Sequence, residues 1–143
     1  MRALLLLIGL LLAATIPARA VPQHRLVIHI DSADREVMVE GLHNAANVID
    51  LMKSRRETVA VEIVANGYGT AMFIEELSPV KDEVRRIHAD YPSVVMSACG
   101  VSLAHTEEAQ KRKLTVMPEA RVVPSGAVRI MELQERHWAY LKP

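Results

Sequence analysis

The stretch Ser93-Val94-Val95-Met96-Ser97-Ala98-Cys99-Gly100-Val101-Ser102-Leu103 decides how this chain is read. Val94 to Ala98 is a short, continuous apolar run with turn formers on its flanks. That pattern predicts a buried strand, parallel to its neighbours and covered on both faces. From Gly100 onward a turn leads into a helix-like stretch. The protein's one cysteine, Cys99, stands at the join. Just past the carboxyl end of a strand is where an open α/β sheet binds its ligands. A helix beginning there aims unpaired N–H groups and positive dipole density at the sulfur, which favours thiolate.

Outward from this strand, helical and extended patterns alternate. His24 to Asp31 reads as a first strand, ending in the cap formers Asp31-Ser32-Ala33-Asp34. Met38, Leu42, Ala45, Ile49 and Met52 then fall on one helical stripe, and the small Ala45 and Ala46 allow close approach to a sheet. Thr58 to Ala65 is a second strand, apolar except for Glu62. Asn66-Gly67-Tyr68-Gly69 breaks it, and Thr70 to Leu77 can turn helical. The glycine spacing there is neither a dinucleotide fingerprint nor a phosphate loop. Ser78-Pro79 reads as the N-cap and first residue of a helix with Val80, Val84 and Ile87 inward, stopped by Tyr91-Pro92.

Beyond Cys99, Ser102 or Thr106 is the expected cap of a short helix, with Leu114 to Glu119 a connector. Arg121-Val122-Val123 is a fourth strand. Pro124-Ser125-Gly126 opens a helix packing through Val128, Met131 and Leu133, and Trp138 to Leu141 is a terminal strand. Met38, Met52, Met72 and Met131 read as core filling. The order β-α-β-α-β-α-β-α-β predicts a three-layer α/β/α sandwich on a mainly parallel five-stranded sheet. Strand order does not follow from it. The carboxyl ends share one rim, lined by Asp31 and Ser32, Asn66 and Gly67, Cys99 and Gly100, and Pro124 to Gly126.

Residues 1–20 fall outside this pattern. Arg2, the largely apolar run Ala3 to Ile16 and the A-x-A site Ala18-Arg19-Ala20 predict a cleaved export signal. The run is shorter than the roughly 18 to 20 residues of a membrane-spanning helix, so an uncleaved anchor is the lesser reading. Cleavage leaves residues 21–143 as one domain of 123 residues, exported to a periplasm or secreted. Without Arg2 and Arg19 the balance is 15 basic to 17 acidic residues, a formal charge of −2, which offers no electrostatic case for nucleic acid or an anionic membrane. One Phe, one Trp and three Tyr argue against stacking platforms.

An exported domain with one cysteine cannot staple itself. Cys99 is either a small buried hydrophobe or a thiol that reacts outside the chain. No His, Asp or Glu adjoins it in sequence; Ser97, Ser102 and His105 are the side chains able to come near. The aid expected is backbone N–H from Gly100 to Ser102. Asn66 and Gly67 read as a tight turn or a binding rim, and Ser125 as an N-cap or a rim contact. Histidines 24, 29, 43, 88, 105 and 137 form no ligand spacing, so no metal is expected, and they read as surface or satisfied core residues. No cofactor is implied.

Leu42-His43-Asn44-Ala45-Ala46-Asn47, Asn66-Gly67-Tyr68-Gly69, Ala98-Cys99-Gly100 with Leu103, Val123-Pro124-Ser125-Gly126, and Leu133-Gln134 before Trp138 to Pro143 occur in an order that resembles the DsrE/DsrF-like family. That family includes sulfur-relay subunits. The resemblance spans nearly all of residues 21–143, departing at His137, where it leads one to expect glycine. It implies a flavodoxin-like fold and a homo-oligomer, a trimer or hexamer. It also implies Cys99 as the catalytic, persulfide-carrying residue, exchanging sulfur with a donor and an acceptor protein. Asn66, Gly67, Gly100, Ser102, Ser125 and Gly126 are the binding-rim candidates. The rival reading is a non-catalytic module that binds a small ligand or protein, with Cys99 structural. A thiol–disulfide exchanger ranks below both, for want of a C-x-x-C pair.

Overall fold

The structure, a computed structural model, describes residues 21–143; the export signal expected over residues 1–20 lies outside the described residues. Five strands, β1 (His24–Ile30), β2 (Val59–Ala65), β3 (Val95–Cys99), β4 (Arg121–Val123) and β5 (Ala139–Leu141), pair in parallel in the order β4-β3-β2-β1-β5. Helices α1 (Arg35–Ser54), α2 (Lys81–Asp90), α3 (Gly100–Gln110) and α4 (Gly126–Glu135) connect them, with a 3-10 helix at Gly67–Phe73.

The strand order dictates the layers. From β1 to β4 each crossover steps in one direction, and right-handed crossovers then place their helices on one face. The step from β4 to β5 runs back past β1, so α4 lands on the other face. The apolar contacts agree. Ile28, Ile30, Ile63, Ala65, Met96 and Ala98 pack under Met38 and Leu42 of α1, Met72 and Phe73 of the 3-10 helix, and Val84 and Ile87 of α2. On the opposite face Val27 and Val64 meet Ile130 and Leu133 of α4, with Trp138 against them. This is the three-layer arrangement of a flavodoxin-like α/β sandwich; the strand outside β1 is β5, where flavodoxin itself has β2.

Local departures from the expected elements have physical causes. The helix expected from Ser78 begins at Lys81, because the Ser78 hydroxyl donates to Met72 O at 2.6 Å and accepts the Val80 N–H at 3.2 Å, closing a turn instead of a cap. Neither Ser102 nor Thr106 caps α3, which starts directly at Gly100 with Cys99 as its cap. The stretch after Asn66 forms a single 3-10 helix that stops at Phe73, where Ile74 bridges Val116 of the connector. On α4 the inward residues are Ile130 and Leu133; Val128 and Met131, expected to pack, are 47% and 52% exposed. Met131 is therefore not core, whereas Met38 and Met72 are. His137 has φ 63°, in the left-handed region, and with Trp138 N–H reaching Leu133 O at 3.1 Å it closes α4 in a Schellman turn. That explains the glycine expected at this position. No helix among the described residues is long and apolar enough to cross a membrane.

Candidate functional site

The chain leaves β3 toward one face and β4 toward the other, so a crevice opens between their carboxyl ends. It is the switch point of the sheet, the usual place for a ligand. Cys99 occupies it from the β3 side and Pro124-Ser125-Gly126 from the β4 side. Gly126 packs so closely that a Cβ there would lie 2.8 Å from Asn66 Cβ and 3.2 Å from Cys99 Cβ. Gly100 is similarly confined, 3.1 Å from Val123 O by the same measure. Asn66, Gly67, Cys99, Gly100, Ser102 and Gly126 are thus brought together.

Cys99 is 4% exposed, yet its sulfur is not sealed in hydrocarbon. As the cap of α3 it accepts the Ser102 N–H at 3.5 Å. The first turn of α4 packs against the same residue from the other side, where a Cβ on Gly126 would lie 3.2 Å from Cys99 Cβ, and the Ser102 hydroxyl is tied to the neighbouring rim. That hydroxyl in turn accepts the Gly67 N–H at 2.8 Å, and Gly67 takes φ 53° to present it. Burial pushes the thiol pKa up, but the Ser102 hydroxyl and the Gly126, Ser102 and Val101 amides outweigh it and hold the thiol below its ordinary value. The sulfur sits between the N-termini of two helices.

The remaining rim residues have defined structural tasks. Asn66 Oδ1 accepts from His29 Nε2 at 2.8 Å, and His29 Nδ1 lies 2.6 Å from Tyr140 Oη, so His29 is a satisfied hub linking β1, β2 and β5. Ser125 Oγ accepts the Val128 N–H at 3.4 Å, the N-cap of α4. Asp31, farther along the rim, is paired with Lys142 at 2.6 Å. Two clefts open along the rim, and Cys99 lines neither of them. One, of about 310 Å³, lies among Arg121, Val123, Ser125, Val128 and Arg129. The other, of about 340 Å³, lies among Gly67, Tyr68, Ser102, His105 and Thr106.

A second polar cluster lies beneath α4. Glu62, 1% exposed on β2, accepts from Ser97 Oγ at 2.7 Å, Arg121 Nη2 at 3.1 Å, and Arg129 Nε and Nη2 at 2.8 and 2.7 Å. Arg121 Nε also donates to Ser97 Oγ at 3.2 Å. Reading for motifs passes over this cluster, since its members lie far apart in the chain. Its one signal is Glu62 itself, a charge inside an otherwise apolar strand, which has to be paired if buried.

Fold and site define a class: a small parallel α/β protein whose helix-capping cysteine stands at the sheet's switch point. No family model matches the chain, and no curated protein matches it. Among solved structures it is similar to MTH1491, a protein of unknown function from Methanobacterium thermoautotrophicum, with 25% identity, a TM-score of 0.69, and coverage of 85% of this chain and 100% of that one.

Proposed function

We propose that this is an exported sulfur carrier that holds sulfur as a persulfide on Cys99 and works as a homo-oligomer between a donor and an acceptor. The observation that carries the reading is the Cys99 sulfur capping α3 through the Ser102 N–H while the first turn of α4 packs against it at Gly126. Such a setting stabilises the thiolate that attacks in loading and departs in unloading. In loading, the thiolate attacks a polysulfide, the Cys99 S–S bond forms, one S–S bond of the polysulfide breaks, and the electron pair leaves on the shortened chain. In unloading, an acceptor thiolate takes the outer sulfur and Cys99 departs as thiolate. Neither step needs an external oxidant or reductant. The exposed Val122, Val128 and Met131 supply apolar surface for self-association.

Incubation with polysulfide and intact mass measurement test this directly. The expected result is one or more added sulfur atoms, absent in Cys99→Ser. No uptake by folded protein whose thiol still reacts with a maleimide overturns it. The 4% exposure of Cys99 favours the second reading, a binding module with a structural cysteine; there neither reagent reacts before unfolding. N-terminal sequencing of mature protein tests export, with a start at Val21 expected, and sedimentation tests the oligomer.

A further inference from the structure

We infer that Glu62 is a positioning residue for Cys99: bound to Arg129, it fixes the first turn of α4 over the sulfur. The inference rests on the proposed chemistry of Cys99. The geometry behind it begins with what holds α4. Its buried apolar side chains, Ile130 and Leu133, lie in the later part of the helix. In the first turn Ala127 and Val128 face solvent, which leaves Arg129 as the side chain tying that turn to the sheet. Arg129 binds both oxygens of Glu62, and its own N–H donates to Ser125 O at 3.0 Å, the first hydrogen bond of the helix. Gly126, packed so closely that an added Cβ would lie 3.2 Å from Cys99 Cβ, sits next to that anchor.

The other partners of Glu62 are also one step from the site. Ser97 precedes Cys99 by two residues on the same face of β3, and Arg121 precedes Val123, whose carbonyl crowds Gly100. One buried carboxylate therefore joins β2, β3, β4 and α4, the elements that build the switch-point crevice. A buried charge network seldom stabilises more than apolar residues of the same volume, so what this one supplies is geometry. The bidentate match of guanidinium to carboxylate fixes orientation as apolar packing does not.

The test uses the fact that the chain has one cysteine, so the ultraviolet absorbance of its thiolate, referenced to Cys99→Ser, reports one group. The charged or titratable groups on the elements around it are Glu62 on β2, Arg121 on β4, Arg129, Glu132 and Glu135 on α4, His105, Glu107 and Glu108 on α3, and Tyr68 on the 3-10 helix. Glu62→Gln removes a negative charge, which by itself lowers the midpoint of thiolate formation. Loss of the clamp is expected to outweigh this and raise the midpoint by about one pH unit, a roughly tenfold loss of thiolate below the midpoint. Arg129→Lys, which keeps the charge but loses the fork, is expected to shift it in the same direction and serves if Glu62→Gln does not fold. Val84→Ala, buried on the opposite face, is expected to lower stability and leave the midpoint in place. An unmoved midpoint in both clamp variants, or an equal shift in Val84→Ala, overturns the inference. Failure of polysulfide uptake alongside a shifted midpoint overturns the sulfur-carrier reading alone.

Discussion

Arg129 meets Glu62 through two near-parallel hydrogen bonds, 2.8 Å from Nε to Oε1 and 2.7 Å from Nη2 to Oε2. The carboxylate is 1% exposed, and the guanidinium side chain 20%. Removing one partner strands the other charge in a poorly hydrated place. Glu62→Ala is expected to lower unfolding free energy by about 3 kcal/mol. The double variant Glu62→Leu with Arg129→Leu is expected to lose less, since neither charge remains to be desolvated. Arg121, half exposed, is expected to cost under about 1 kcal/mol when changed to Ala. Urea denaturation of the four proteins checks the order.

The same carboxylate gives stability a pH dependence of known sign. Burial raises its pKa, but hydrogen bonds from Arg129, Ser97 and Arg121 outweigh that and hold it below the ordinary carboxylate value. Its contribution is therefore complete above the unfolded-state pKa of about 4.3 and fades as pH falls through the lower folded value. Thermal melts from neutral to acid pH are expected to show the gap between the native protein and Glu62→Gln closing only below about pH 4. A gap that closes nearer neutrality contradicts this.

Ser102 links two parts of the rim: its hydroxyl accepts the Gly67 N–H and helps hold the Cys99 pKa down, and its N–H donates to the Cys99 sulfur. Ser102→Ala is expected to raise the Cys99 pKa and slow its alkylation severalfold at neutral pH. Loss of the Gly67 bond is expected to cost about 1 kcal/mol. Alkylation rate against pH, read by mass, separates the two effects, because the stability loss leaves the midpoint untouched.

Gly126 has no room for a methyl group between Asn66 and Cys99. Gly126→Ala is expected to cost about 1–3 kcal/mol as an overpacked contact. It also pushes the first turn of α4 away from Cys99, so the thiol midpoint rises with it. Gly126→Ala that melts and titrates like the native protein would rule out the close approach of α4 to Cys99.

Much of the architecture was legible because it depends on near neighbours in sequence. The stripe Met38, Leu42, Ala45 and the apolar run Val94 to Ala98 record which side of each element is dry, and their alternation implies parallel strands with helices between. Cap chemistry was less legible. Ser78, Ser102 and Thr106 each offer a hydroxyl at a plausible spacing, but the hydroxyls are taken by Met72 O, by Gly67 N–H, and by Ser102 O. Cys99 caps α3 in their place. Local sequence states what a side chain can bond to, and the fold decides which partner arrives first.

The chain's own pattern determined the class of fold, the placing of Cys99 at the end of an inner strand, and the company of Gly100 and Ser102, all set by short-range periodicity and turn chemistry. Tertiary structure decided that β5 lies beside β1, that α4 therefore crosses alone on its face, and that its first turn closes on the cysteine from the far side. It also gathered Glu62, Ser97, Arg121 and Arg129, separated by up to 67 residues, into one buried cluster. Such contacts depend on strand order, and strand order follows from which apolar faces can be covered at once, a property of the whole sheet that no single segment carries.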